Sequence, residues 1–162
     1  MEQNSIILGI DPGLQNTGWG IIKKFQQEIK YTDCGAIKSN THSRMEDRLF
    51  KIFHSICELT IKYDVNDVAI EKVFVNKNPQ TSEKLIMARA AAFIAISKSG
   101  LYINEYCPNE VKKNITGSGH ASKLHMQTMI QKILKIQPKK WSADAADALA
   151  IAICHAFTNH YL

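Results

Sequence analysis

The chain has 162 residues, a formal net charge of +5 and a composition that is 45% hydrophobic and 22% charged, as is usual for a globular protein. This length favours one domain, residues 1–162, with a core large enough to fold without disulfides. The positive charge suits an anionic partner such as nucleic acid without requiring one, and no apolar run approaches the roughly 18 residues of a membrane helix.

The cysteines and the amino terminus both favour a cytoplasmic protein. Cys34, Cys57, Cys107 and Cys154 form no Cys-x-x-Cys pair and have no histidine at zinc-finger spacing, so we expect small, buried, reduced thiols. The first apolar run is five residues long and ends at Asp11, which argues against a signal peptide. We therefore expect a cytoplasmic location and no membrane segment.

The first forty residues are predicted to form three antiparallel strands. Residues 6–10 are apolar without alternation, as in a buried central strand, and Pro12-Gly13 ends that run. A second strand is predicted over 19–25, and we interpret glycines near its start, such as Gly18, as turn residues. The third strand, over 28–38, follows after only two residues, a spacing typical of a hairpin.

The middle of the chain alternates helices and strands. Ser43-x-x-Glu46 is a capping-box signature, and helical spacing of apolar residues after it predicts an amphipathic helix over about 44–63. A short strand over 67–71 follows. The next helix is predicted between 79 and a left-handed cap at 100, and its residues 85–96 leave almost no polar face. Such a helix is buried on more than one side, either by the core or by a second subunit.

The last third of the chain adds a short strand, a flexible glycine loop and three helices. Their predicted ranges are 101–106 for the strand, 109–115 for the first helix, 117–119 for the loop, about 126–134 for the second helix and 143–156 for a last helix capped by Ser142. The whole order predicts an α/β fold: a five-stranded mixed sheet, with three antiparallel strands and then parallel strands, flanked by helices.

Four acids lie at or beside positions expected to be buried, where a carboxylate is costly unless it is paired or binds a cation. Asp11 and Glu71 each end a short apolar strand, and the strand ends of an α/β sheet meet at one edge. Asp144 and Asp147 are three residues apart on the last helix, so they share a face in a helix that is otherwise alanine, isoleucine and leucine. Taken singly, Asp11 could be a turn acid, Glu71 a surface partner of lysine, and Asp144 a first-turn acid facing the positive end of its helix.

Together the four acids favour a divalent-metal site. Oxygen ligands without a matching histidine or cysteine cluster suit Mg²⁺ or Mn²⁺ better than zinc. Two such ions about 4 Å apart, bridged by acids, are the usual apparatus for hydrolysing phosphodiesters. We expect His120 and His125 to be surface or helix-cap residues rather than metal ligands.

The chain resembles the RuvC family of bacterial Holliday-junction resolvases in motifs spread over nearly its whole length. The matching motifs are Gly9-Ile10-Asp11-Pro12-Gly13, Ala69-Ile70-Glu71-Lys72-Val73-Phe74, Val111-Lys112, Gly117-Ser118-Gly119-His120-Ala121-Ser122-Lys123 and the acidic helix from Ala143 to Ile153. The resemblance implies an RNase H-like fold, a homodimer and Mg²⁺-dependent cutting of four-way DNA junctions. It further implies two ions per subunit, for which Mn²⁺ can substitute, and association with a RuvA–RuvB branch-migration complex.

The resemblance also implies roles for individual side chains. The family's catalytic, metal-binding acids fall on Asp11, Glu71, Asp144 and Asp147, and its DNA-binding residues fall on Lys112, Lys123 and Phe74. From the sequence alone Phe74 is expected in the core, whereas the resemblance implies that it stacks on an unpaired base near the crossover. One departure is Met87-Ala88-Arg89-Ala90, where family members often have glycine after the arginine.

Three other functions remain to be weighed against a resolvase. Another RNase H-like nuclease, for example one that trims ribosomal RNA precursors, would share the strand-end acids but not the acidic helix. An actin-like ATPase needs two such domains, for which 162 residues are too few. A non-catalytic junction-binding module is expected to lack at least one of the four acids. We therefore expect a resolvase that makes paired symmetric nicks in four-way junctions during recombination and repair.

Overall fold

The computed structural model of the chain describes residues 4–74, 79–137 and 140–158. Its strands are β1 (Ser5–Asp11), β2 (Asn16–Phe25), β3 (Glu28–Lys38), β4 (Asp67–Glu71) and β5 (Ile103–Tyr106). They form one sheet in the order β3-β2-β1-β4-β5. The first three strands pair antiparallel, whereas β4 joins β1, and β5 joins β4, in parallel. The predicted five-stranded mixed sheet is confirmed.

The described helices cover both faces of this sheet. They are α1 (Met45–Lys62), α2 (Pro79–Lys98), α3 (Pro108–Thr116), α4 (Lys123–Ile133) and α5 (Ala143–Thr158). Leu8 and Ile10 of β1 face a core built with α1 and α2, and Ile7 faces a core built with α3, α4 and α5. Because both faces of β1 are covered, the strand is apolar without alternation, as the sequence predicted.

The start of α1 differs from the predicted capping box. The residue that precedes the helix is Arg44, and no side chain caps it. Ser43 belongs to the preceding turn, where its backbone N–H donates to the carbonyl of Asn40, and Glu46 pairs instead with the Arg44 guanidinium. The capping-box prediction is therefore wrong, although the predicted helix is present within one residue at each end.

The sequence analysis interpreted glycines such as Gly18 as turn residues, and this interpretation is wrong. Gly18 lies inside β2 and pairs with Asp11, and a Cβ at this position would stand 2.0 Å from the carbonyl oxygen of Asp144. On β1, a Cβ at Gly9 would stand 2.1 Å from the carbonyl oxygen of Ala148. These positions lack side chains because the backbone of α5 lies directly against β1 and β2, and this close packing places the acidic end of α5 beside Asp11.

The helix that the sequence predicted to be apolar all round, α2, is buried on one side within this chain. Ala88, Ala92 and Ala95 are fully buried, whereas Ile86 is 47% and Ile94 62% exposed. The helix ends as predicted before Gly100, whose φ of 71° is left-handed. The core of the single chain therefore does not cover the outer face of α2.

The described cysteines all carry free thiols, as predicted, but only Cys154 is buried, and the other three are partly exposed. Among the described helices, none combines the length and apolar character that crossing a membrane requires.

Candidate active site

The first two acids are neighbours because β1 and β4 are adjacent parallel strands. Ile10 pairs with Ile70, so the next residues along, Asp11 and Glu71, come side by side at the carboxyl ends of the two strands. The strands need no long loop to bring these carboxylates together. This is the sheet edge at which open α/β sheets form their sites.

The other two acids reach the same edge from the amino-terminal end of α5. The hydroxyl of Ser142 accepts the backbone N–H of Ala145 at 3.2 Å, which confirms the predicted cap and fixes the first turn. Asp144 lies in that turn against Gly18, and Asp147 follows one turn later, with the fully or nearly fully buried residues Ala146 and Ala148 beside it.

The acids interact electrostatically, which shows that they form one cluster. Burial, followed by the charges of Glu71, Asp147 and Asp144, raises the pKa of Asp11 to about 8, against the lowering effect of Lys123. Burial raises the pKa of Glu71 as well, with a further increase from Asp147. Burial likewise raises the pKa of Asp147, against the lowering effect of Lys123 and together with the raising effect of Asp144. Such a set of shifted carboxyl groups in a cleft is typical of a functional site.

The two lysines singled out by resemblance come from the helices beside α5. Lys112 lies in α3 and lowers the pKa of both Glu71 and Asp147, and Lys123 begins α4. The loop between these helices begins at Gly117, a left-handed cap whose N–H donates to the carbonyl of Lys113 at 2.8 Å. Ser122 then caps α4 by accepting the N–H of His125.

Phe74 lies at the rim of the site rather than in the core. Its side chain is 60% exposed, so the core position expected from the sequence alone is wrong. A cleft of about 300 Å³ joins it to Asp11 and Glu71, and its lining residues are Asp11, Pro12, Glu71, Lys72, Val73, Phe74, Leu85 and Pro108. An exposed aromatic ring beside a carboxylate cluster is available for contact with a ligand.

The chemistry of the donor set fits a hard divalent cation. The clustered side chains offer carboxylate oxygens only, which Mg²⁺ and Mn²⁺ prefer. Within the described ranges, no three acidic, histidine or cysteine side chains stand at distances that hold an ion. Carboxylates that repel one another are expected to draw together only around a cation.

Sequence reasoning missed one side chain that contacts the site. Arg89 of α2 donates to the backbone carbonyl of Glu71. The sequence analysis noted this residue only for the alanine that follows it. The available signal was a single arginine within the apolar stretch of α2, because a buried guanidinium needs specific partners.

Comparison with known proteins places these features in one family. The family described as crossover junction endodeoxyribonuclease RuvC matches residues 7–155. The RuvC of Ehrlichia canis is 38% identical over 154 residues, which cover 95% of this chain and 97% of the relative. The RuvC of Marinobacter nauticus is 43% identical over 155 residues, which cover 96% of this chain and 87% of the relative.

Solved structures agree with this assignment and with the predicted RNase H-like fold. T. thermophilus RuvC in complex with a Holliday junction substrate superposes with a TM-score of 0.89 at 28% identity, covering 95% of this chain and 94% of the other. The yeast mitochondrial Holliday junction resolvase Ydc2 has a TM-score of 0.70 at 13% identity, covering 94% and 78%, and shares the fold. The chain therefore belongs to the RuvC family of crossover junction endodeoxyribonucleases, which are metal-dependent nucleases.

Proposed function

We propose that this chain is a Holliday-junction resolvase that makes paired, symmetric nicks in four-way DNA junctions during recombination and repair. The observation that carries the proposal is the cluster of four acids at one edge of the sheet, flanked by two lysines, with Asp11 and Glu71 lining a cleft. Membership of the RuvC family supports the same reaction.

The proposed cofactor is a pair of Mg²⁺ ions per subunit, for which Mn²⁺ can substitute. Asp11, Glu71, Asp144 and Asp147 would hold them, because all four offer the oxygen ligands that these ions prefer. Bound there, the ions would activate the attacking water and stabilise the charge on the leaving oxygen of the phosphodiester.

The protein's own contribution is to fix the acids and to balance charge around the phosphate. Asp11 and Glu71 lie at the ends of strands in the middle of the sheet, and Asp144 and Asp147 lie on a helix packed directly on that sheet. Such rigid elements limit the reorganisation that the reaction would otherwise require. Lys112 and Lys123 supply positive charge near the acids, and as phosphate contacts they would give salt-dependent affinity without sequence recognition.

Phe74 is proposed to stack on an unpaired base near the crossover. Its exposure and its place on the rim of the cleft support this role. Stacking on an aromatic ring is worth about 1–3 kcal/mol per base and tolerates any base, because every base has a π face. The ring would thus hold an opened junction beside the acids without selecting a sequence.

A homodimer is proposed through the α1–α2 groove. This groove of about 650 Å³ is lined by Met45, Glu46, Leu49, Phe50, Phe53, Met87, Ala90, Ala91 and Ile94. Phe50 and Ile94 are each 62% exposed, and exposed apolar patches of this kind mark interaction surfaces. A two-fold dimer would present two identical sites to two strands of a nearly symmetric junction, as paired nicks require.

The wider setting of the protein is also a proposal. We propose that residues 1–162 form one nuclease domain, since every described strand joins a single sheet. Free thiols throughout the described cysteines suit the reducing cytoplasm. Association with a RuvA–RuvB branch-migration complex rests on family membership alone.

The proposal is tested by cleavage of a synthetic mobile four-way junction in Mg²⁺, Mn²⁺ or chelator. We expect symmetric nicks with either ion and none in chelator. Asp144→Asn should bind the junction at least as tightly as the wild type, because a negative charge near the phosphates is removed, but should not cut it.

Four results would contradict parts of this account. A wild-type protein that binds the junction but cuts it with neither ion is not a resolvase. Equal cutting of linear duplex or of RNA would leave a nuclease of another specificity. A wild-type protein that stays monomeric on DNA in sedimentation would contradict the proposed dimer. An Ile94→Glu variant that remains dimeric would exclude the α1–α2 groove as the dimer contact.

A further inference from the structure

Arg89 is a largely buried arginine that joins α2 to the end of the strand carrying Glu71. Its side chain is only 16% exposed. One guanidinium nitrogen, Nη1, donates to the carbonyl oxygen of Glu71, and the other, Nη2, pairs with the carboxylate of Glu105 on β5. The guanidinium also stacks on Phe93, one turn along α2, with Cζ 4.6 Å from the ring centroid.

This contact replaces a hydrogen bond that the sheet itself cannot supply. The N–H of Lys72 donates to the carbonyl of Tyr106 on β5 at 2.8 Å, and successive strand residues point their backbone groups to opposite neighbours. The carbonyl of Glu71 therefore points toward β1. Extending the register from Ile10 and Ile70 by one step places Asp11 opposite Glu71. In a parallel pair, a carbonyl accepts from the residue that follows its partner. That residue is Pro12, which has no N–H.

Arginine suits this position better than other donors. Its planar guanidinium carries several N–H groups in a fixed fork, so it can serve two acceptors and stack on a ring at once. A lysine is a flexible point charge and would not reproduce that geometry. Because Glu105 neutralises the charge of Arg89 locally, the arginine acts on Glu71 chiefly through the geometry of its hydrogen bond.

We propose that Arg89 is a positioning residue for Glu71, fixing the strand end in place of the hydrogen-bond donor that Pro12 cannot provide. The inference deepens the proposed function, since it takes Glu71 as one of the four catalytic acids. Misplacing such a group by about 1 Å can cost about 100-fold in rate. The same hydrogen bond also sets the direction in which the chain leaves β4 toward Phe74.

The first test compares Arg89→Gln and Arg89→Lys with the wild type on a four-way junction. We expect Arg89→Gln to lower kcat by about 10- to 100-fold, to leave the junction Kd in chelator within about 2-fold, and to raise the Mg²⁺ concentration needed for half-maximal cutting. Arg89→Lys should fall between the two, because it keeps the charge and loses the fork. Should Arg89→Gln fail to fold, Arg89→Lys decides the test alone.

A second readout does not depend on activity. Hydrogen exchange of the Lys72 amide should be faster in both Arg89 variants, because the strand end they release carries that amide. Glu105→Gln keeps the bond from Arg89 to Glu71 and should change kcat by less than Arg89→Lys does. Lys98→Gln removes an exposed charge from the far end of the same helix and should match the wild type in every measurement.

The proposal is overturned if both Arg89 variants cut with the wild-type kcat, or if the Lys72 amide exchanges at the wild-type rate in both. It is also overturned if kcat, junction affinity and melting temperature fall in parallel, since that pattern indicates general destabilisation. Glu71→Gln distinguishes a failure of the proposed catalytic set from a failure of the role proposed for Arg89. If Glu71→Gln is active, the proposed catalytic set is wrong, whereas an inactive Glu71→Gln beside a fully active Arg89→Gln refutes only the role of Arg89.

Discussion

The two ends of α5 bury polar groups in opposite ways. At its carboxyl-terminal end, His155 is fully buried, with Nε2 2.8 Å from a carboxylate oxygen of Asp67 and Nδ1 2.6 Å from the hydroxyl of Tyr106. At its amino-terminal end, Asp144 and Asp147 meet two further acids across the sheet edge. One end holds complementary hydrogen-bonding groups, and the other holds like charges.

This difference distinguishes a structural network from a functional site. The histidine end satisfies both of its ring nitrogens, and a satisfied buried network rigidifies a fold. At the acid end, burial raises the pKa of Asp11, Glu71 and Asp147, so the ionised forms of these groups work against stability. Buried groups that cost stability in the isolated chain are typical of sites completed by a ligand. The following substitutions test this comparison, beginning with the largest expected effect.

Asp147→Asn should abolish nearly all cleavage while leaving the fold intact. Removing one acid of the cluster is expected to lower the rate of junction cutting about 1,000-fold or more, some 4 kcal/mol of transition-state stabilisation. The free energy of unfolding in chelator should stay constant or rise, because one of the repelling charges is gone. Single-turnover cleavage and urea denaturation measure the two effects.

The control for this substitution is Asp64→Asn, which changes an exposed acid in a left-handed turn after α1. Its cleavage rate should match the wild type. Equal losses in the two variants, or a strongly destabilised Asp147→Asn, would argue against a functional acid cluster.

His155→Ala should have the reverse profile. Removing the imidazole takes one hydrogen-bond partner from Asp67 and one from the Tyr106 hydroxyl, and the loss of a partner by a buried polar group costs about 1–3 kcal/mol of unfolding free energy. The cutting rate per folded molecule should change little, because His155 lies near the opposite end of α5 from Asp144 and Asp147. His125→Ala, at an exposed position of α4, should leave stability unchanged, and a wild-type stability for His155→Ala would refute the structural role.

Stability in chelator should fall as the pH rises from about 4 to 8. The pKa of Asp11 is raised from 3.8 to about 8 in the folded chain, so between these values the folded state keeps a proton that the unfolded state has lost. Each pH unit in this window therefore removes up to about 1.4 kcal/mol of unfolding free energy. Urea denaturation at several pH values measures the slope.

Asp11→Asn isolates this contribution, because the other titrating groups remain. The variant should show a shallower decline than the wild type over the same window, and Mg²⁺ should flatten the wild-type curve by favouring the ionised acids. A wild-type slope unchanged by Asp11→Asn would show that Asp11 ionises normally.

Lys123→Ala should give the smallest effect. Losing a single phosphate contact is expected to weaken junction binding by about 1 kcal/mol and to lower the salt slope by about 1. Binding measured at several salt concentrations tests this expectation. Lys98→Ala, distant along α2, should leave the slope unchanged, and a Lys123→Ala variant with the wild-type slope would place this lysine off the DNA.

Much of this comparison could be read from the sequence, because periodicity and strand-end position are local signals. The apolar run before Asp11 predicted a central strand, and the spacing of Asp144 and Asp147 predicted a shared helix face. Contacts with backbone that is distant along the chain could not be predicted in this way. Gly18 was interpreted as a turn residue because its neighbours in the sequence do not show that the backbone of α5 packs against it and excludes a side chain.

Side chains whose partners lie far along the chain were likewise hidden. Ser43 had the spacing of a cap, but the preceding turn uses its backbone. Arg89 bonds a carbonyl 18 residues earlier, and His155 of α5 pairs with an acid on β4. Phe74 is apolar and was therefore expected in the core, and only the folded structure shows that its side chain is exposed just beyond the end of β4.

The central claim, that the acid end of α5 is a cation site, is tested most directly by calorimetric titration of Mg²⁺ or Mn²⁺ into the chain. The titration is repeated with Asp11→Asn, Asp147→Asn and the exposed control Asp64→Asn. We predict saturable binding by the wild type and Asp64→Asn, and loss of that binding in the two cluster variants. Binding that is absent from the wild type, or equal in all four proteins, would contradict the account.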